Sequence, residues 1–138
     1  IKAFVVSNQS VIGRKICSKK QVNDFNRMIN KSISSNYNVI KKFYICPHHP
    51  TKGVGRYKKE CGCRKPKNGL IMNASKRYQL KLEESYVIGD RWRDVDAANL
   101  SNCKSIFIDY NYSEDLKSKP THLVYSIEEA INKILQIK

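Results

Sequence analysis

Five short apolar runs recur along the chain, separated by helix-like stretches: Ala3–Val6, Lys42–Ile45, Ser85–Ile88, Ser105–Ile108 and His122–Tyr125. Each is too short for a helix and rich in β-branched or aromatic residues, so each reads as a strand. Between the first two, Ser18-Lys19-Lys20-Gln21 spells a capping box that opens a helix. Val22, Phe25, Met28 and Ile29 follow as its expected apolar face. Leu70–Tyr78 and Val95–Leu100 read as further helices, and Ser126 with Glu129 opens a last one carrying Ile127, Ala130, Ile131 and Ile134. A helix between strands returns the chain to the end where the strand began, which makes neighbouring strands parallel. The expected class is therefore α/β: a mostly parallel sheet with helices on both faces.

The chain has 138 residues, 41% of them apolar, which suits a single domain over residues 1–138. No apolar run is long enough to span a bilayer, and the first residues do not read as a signal peptide. Five cysteines, an odd number, argue against a disulfide framework. Cytoplasmic location is the expectation, with Cys17 and Cys103 as small buried hydrophobes. Lys and Arg number 26 against 12 acidic residues, a net charge of +14. The basic residues are scattered, with no aromatic interleaving or recognition pattern, so they read as a solvated lysine surface. The expectation is a monomer with neither a nucleic-acid nor a membrane partner. A positive field also suits a small phosphorylated substrate.

In parallel sheets, ligands bind beyond the carboxyl ends of the strands. After the first strand come Ser7, Asn8, Gln9 and Ser10, small polar groups able to hold an anion, or an ordinary turn. After the second come Cys46-Pro47-His48-His49-Pro50 and then Cys61-Gly62-Cys63, with twelve residues connecting His48 to Cys61. Two close pairs of soft or borderline ligands suit tetrahedral zinc with no open position, hence a structural site at Cys46, His48, Cys61 and Cys63. A metal-free thiol cluster, or His49 in place of His48, are the alternatives. The loop, residues 46–66, ends in Arg64-Lys65-Pro66, two cations that such a clip would hold. After the third strand comes Gly89-Asp90-Arg91-Trp92-Arg93-Asp94. Asp90 and Asp94, one helical turn apart, suit Mg²⁺; a helix cap is the alternative for either. Trp92 reads as packing and Asp96 as surface.

These motifs, in this order, resemble the haloacid dehalogenase (HAD) superfamily of phosphatases. The combination CPHHP…CxCRKP is similar to its zinc-loop subgroup, the D-glycero-D-manno-heptose 1,7-bisphosphate phosphatases and their histidinol-phosphatase relatives. The resemblance implies a Rossmann-like HAD fold and hydrolysis of a sugar phosphate through an aspartyl-phosphate. Ser7 and Lys65 would be catalytic, holding and neutralising the phosphoryl group. Asn8, Gln9, Ser10, Arg64 and Arg91 would bind substrate, and Asp90 and Asp94 would serve Mg²⁺. Val11 and Asn68 depart from residues common in the family. The family's nucleophile is the first Asp of a DxD motif on an earlier strand, and the first acidic residue here is Asp24. Asp94-Val95-Asp96 has that spelling but opens a helix. The expectation is a chain truncated at its N-terminus, with its nucleophile upstream of Ile1. Two other readings stand beside it: a non-catalytic, zinc-stabilised anion-binding module, and a zinc-clip nucleic-acid binder.

Overall fold

The structure is a computed structural model and describes residues 1–34 and 39–136. The chain divides into two compact units, residues 1–64 and 65–138.

The first unit contains strand β1 (Ala3–Asn8), helix α1 (Ser10–Gly13), helix α2 (Lys19–Ile33) and strand β2 (Ile40–Cys46). β1 and β2 pair in parallel, with Ser7 opposite Ile45 and Asn8 opposite Cys46. The capping box of α2 forms as its spelling requires. Ser18 Oγ accepts from Gln21 N at 3.1 Å, and Gln21 Oε1 accepts from Ser18 N at 2.8 Å. The expected apolar face is different, however. Val22 and Asn26 are buried, whereas Phe25 and Met28 are 58% and 66% exposed. The reason lies one turn further on. The Asn30 side chain donates to Ile40 O at 2.9 Å and accepts from Ile40 N at 3.0 Å. This anchors the helix to the start of β2 along the stripe 22, 26 and 30, which share a face at four-residue spacing.

The long loop after β2 is tied down at Gly13. A Cβ there would lie 2.2 Å from the Pro47 carbonyl oxygen, so only glycine allows the approach. Gly13 O also accepts from Val54 N at 2.8 Å. A 3-10 turn, Gly55–Tyr57, gives the loop local structure that no sequence pattern announced.

The second unit contains α3 (Gly69–Tyr78), β3 (Tyr86–Gly89), α4 (Trp92–Leu100), β4 (Lys104–Ile108), β5 (His122–Val124) and α5 (Ile127–Gln136). Its strands are parallel in the order β3-β4-β5. Ile106 and Ile108 share one face of β4 and pack with Val124 and Ala130, with Ile134 of α5 against them. Ser105 points the other way, and its hydroxyl donates to Asn99 Oδ1 of α4 at 3.2 Å. Helices therefore cover both faces of β4, as α/β alternation requires. Ile127 and Ile131 are about half exposed, at 51% and 47%, contrary to expectation. Ala130 is fully buried, and its small side chain lets α5 close on the sheet along the 130–134 stripe. Ser126 caps α5 by accepting from Glu129 N at 3.1 Å, while Glu129 reaches back to Tyr125 N at 2.8 Å.

Hydrogen bonding sorts the five strands into two parallel sheets where one was expected, because among the described residues no strand pairs with both groups. Cys103 is buried as expected, but Cys17 is only half-buried. Among the described residues no helix is long and apolar enough to cross a membrane.

Candidate active site and metal centre

The end of β2 delivers Cys46 into the interior, and the loop returns Cys61 and Cys63 beside it. Cys46 Sγ lies 3.5 Å from Cys61 Sγ, 2.9 Å from Cys63 Sγ and 3.7 Å from His48 Nδ1. Cys61 and Cys63 Sγ are 3.4 Å apart, and Cys63 Sγ is 3.5 Å from His48 Nδ1. All four donor atoms lie within 4.8 Å of one another. A tetrahedron with bonds of about 2.3 Å has edges of about 3.8 Å, so this set encloses a space for one zinc-sized ion. The structure decides between the histidines. His49 Nδ1 accepts from Lys52 N at 3.0 Å and Thr51 N at 3.3 Å, so it is engaged in its own turn. His48 Nδ1 faces the sulfurs.

The electrostatics of the cluster follow from its burial. Burial pushes the Cys46 thiol well up, and a hydrogen bond with Cys63 adds to it. Burial also raises Cys63, against an opposing hydrogen bond with Cys46. At Cys61 burial acts upward too, but hydrogen bonds with Cys63 and Cys46 outweigh it and leave the thiol lowered. Burial, then the Lys59 charge, lower His48. Neutral imidazole is the ligating form, and a cation replaces the thiol protons. Arg64 Nη1 donates to His48 O at 3.0 Å, so this cation is held against the clip.

In the same unit, Ser7 and Asn8 end β1, and Gln9 N continues the ladder to Cys46 O at 2.8 Å. Gln9 Nε2 donates to Ser7 Oγ at 3.2 Å, which leaves the Ser7 proton for another acceptor. Ser10 opens α1.

In the second unit, Lys65 Nζ lies 2.6 Å from Asp94 Oδ1. The other Asp94 oxygen accepts from Arg91 N at 3.1 Å and caps α4, which is why that helix starts at Trp92 and not at Val95. Asp94 thus fulfils the capping alternative and holds Lys65 as well. A Cβ on Gly89 would sit 2.3 Å from Asp94 Cβ, so the glycine ending β3 makes room for this carboxylate. Asp90, the next residue, is more open, with Arg91 Nε 3.9 Å from its Oδ2. Sequence reasoning missed the segment after β4. Its Glu114 Oε1 lies 2.9 Å from Arg91 Nη1 and 3.5 Å from Arg93 Nη2. Tyr112 lies under the Arg91 guanidinium at 3.9 Å, and Lys117 Nζ sits 3.6 Å over Trp92. Position just past a strand end was their only signal. Asp96, expected at the surface, is half-buried and accepts from Ser118 Oγ at 2.5 Å.

Residues 62–130 match the family model described as HAD-hydrolase-like. The chain belongs to this HAD-like hydrolase family. It is 34% identical over 97 residues to the D-glycero-beta-D-manno-heptose-1,7-bisphosphate 7-phosphatase of Photorhabdus laumondii, covering 70% of this chain. The Pasteurella multocida protein of the same name is 30% identical over 137 residues, covering 97% of this chain. The HAD-like chain spans about half the length of the Photorhabdus relative, 52%, and 74% of the Pasteurella one. A solved D,D-heptose 1.7-bisphosphate phosphatase from B. bronchiseptica, complexed with magnesium and phosphate, shares the fold. Its TM-score is 0.79 at 21% identity, over 99% of this chain and 75% of that one.

In chemical terms, the first unit of this HAD-like chain offers a metal clip, a hydroxyl at a strand end and a fixed guanidinium. The second offers a lysine held by a carboxylate and an open aspartate just past β3.

Proposed function

We propose that the protein carrying this chain is a Mg²⁺-dependent phosphatase that hydrolyses D-glycero-D-manno-heptose 1,7-bisphosphate. The observation that carries the reading is the Lys65–Asp94 contact of 2.6 Å, in the same unit as the open Asp90. A lysine fixed by a carboxylate is a point charge suited to a transferring phosphoryl group, where catalysis is mostly positioning and charge. The named relatives support the substrate.

In this reading Lys65 neutralises the phosphoryl oxygens, and the Ser7 hydroxyl donates to one of them. Asn8, Gln9, Ser10, Arg64 and Arg91 bind the rest of the substrate. Asp90 would hold Mg²⁺, which supplies further neutralisation of the phosphoryl charge when bound. Asp94, with both oxygens engaged by protein donors, supports that site by holding Lys65 and the α4 cap. An aspartate outside residues 1–138 attacks phosphorus, forming the acyl-phosphate bond as the sugar C–O–P bond breaks at phosphorus. Water then hydrolyses the aspartyl-phosphate. Zinc in the four-ligand clip is structural. The proposed protein is a cytoplasmic monomer acting on a small phosphorylated sugar, in keeping with its unpaired cysteines and scattered lysines.

The test compares residues 1–138 with a longer protein that adds an upstream DxD strand, on the heptose bisphosphate with Mg²⁺. Turnover is expected from the longer protein alone. In it, Lys65→Ala should lower kcat by about 10²–10³-fold. Faster turnover of histidinol phosphate would move the assignment to that relative. Activity in neither protein would favour a non-catalytic anion-binding module.

A further inference from the structure

Beside the metal clip, wholly within residues 1–64, lies a cavity of about 240 Å³. Lys19, Arg56 and Lys59 line it together with Ile12, Ile45, Pro47, Tyr57 and the clip's His48, and no carboxylate lines it. We propose that this cavity binds a small phosphate monoester through Lys19, Arg56 and Lys59, three cations that the phosphatase reading does not use.

The first argument is uncompensated charge. Three exposed cations, Lys19 on α2 and Arg56 and Lys59 in the loop after β2, line one small space, and none of them pairs with a carboxylate among the described residues. Lys19 is moreover the first residue of α2, whose first turn has no acidic residue. The helix end there is already positive, so a cation is unfavourable unless an anion offsets it. Asp24 does not relieve this, because it is engaged by Lys20 at 2.8 Å and by Arg27.

The second argument is preorganisation. The Arg56 guanidinium stacks over Tyr57 at 5.1 Å and donates to its hydroxyl at 3.2 Å. Tyr57 is in turn fixed by its carbonyl, which accepts from His49 N at 3.0 Å. A planar guanidinium held in this way binds an oxyanion with little ordering cost. The third argument is shape. The apolar part of the lining favours an anion with a carbon skeleton over a bare one. The volume lies below the roughly 300–1,000 Å³ of pockets that enclose drug-sized ligands, so the ligand is small.

The test is an amide NMR titration of the zinc-loaded full chain with glucose 1-phosphate, inorganic phosphate and glucose. The ester should shift residues 12, 19, 45 and 56–59 in a saturable way, and glucose should not. The double variant Arg56→Gln/Lys59→Gln should weaken ester affinity at least tenfold. Arg56→Lys/Lys59→Arg should keep most of it, and zinc content shows that each variant retains the clip. Shifts confined to residues 7–10, 65 and 90 would overturn the proposal while leaving the phosphatase reading intact. Unchanged affinity in the double variant would overturn it too, as would inorganic phosphate binding as tightly as the ester, the mark of an unselective cation cluster.

Discussion

Lys65 Nζ lies 2.6 Å from Asp94 Oδ1, with side chains only 13% and 9% exposed. The same carboxylate caps α4 through its other oxygen. One side chain therefore starts a helix and positions the lysine on which the proposed chemistry rests. Asp94→Ala removes the carboxylate from beside a mostly buried ammonium group. A loss of about 3 kcal/mol is expected in urea unfolding. Asp94→Asn keeps a cap acceptor and should lose less. A loss below about 1 kcal/mol for the alanine variant would show that solvent screens the pair.

Gly89 is tested by adding one methyl group. In Gly89→Ala the new Cβ meets Asp94 Cβ at 2.3 Å and Cγ at 2.5 Å, so the carboxylate must shift. The expected destabilisation is about 1–3 kcal/mol. A crystal structure of the variant should show Asp94 displaced from Lys65. An unmoved Asp94 with unchanged stability would contradict this account of the glycine.

The four-donor clip should bind one zinc per chain, measured by elemental analysis. Binding only the folded form, free zinc at a hundred times its Kd should raise unfolding stability by about 2.7 kcal/mol. Cys63→Ser should abolish most of that gain, and His49→Ala should leave it, since His49 Nδ1 is engaged in its turn. Equal loss in the two variants would mean that His49 ligates after all.

Burial pushes the Cys103 thiol up to about 11 from an ordinary value of 9.0, with the Glu83 charge adding to it. The folded chain then holds this proton more tightly than the unfolded chain does. The associated stability is fully present below pH 9 and is lost as pH rises through about 11. Alkaline unfolding curves should show this decline, and Cys103→Ala should flatten it. Alkylation at pH 8 should reach half-buried Cys17 before Cys103.

Much of the fold and of the candidate site was legible in the chain because the signals were local. Ser18 and Gln21 form their capping box from residues three apart, whatever else surrounds them. The pairs β1–β2 and β3–β4 became parallel because helices between their strands return the chain to the same end, whereas β4 reaches β5 through a segment without a helix. Cys46, His48, Cys61 and Cys63 were readable because ligand pairs within one turn need little tertiary help to converge. Other features depended on contacts between distant segments. His48 faces the sulfur of Cys63, fifteen residues on, while a turn at Thr51 and Lys52 takes up the His49 ring. The buried stripe of α2 follows Asn26, not Phe25 and Met28, because Asn30 anchors the helix on Ile40. Asp94 belongs to Lys65, and Arg91 to Glu114, through ion pairs that no periodicity encodes. Local pattern determines which elements form and which chemistry they carry. Their partners are chosen only when the loops close, because a hydrogen bond or ion pair between remote residues depends on where the whole backbone brings them.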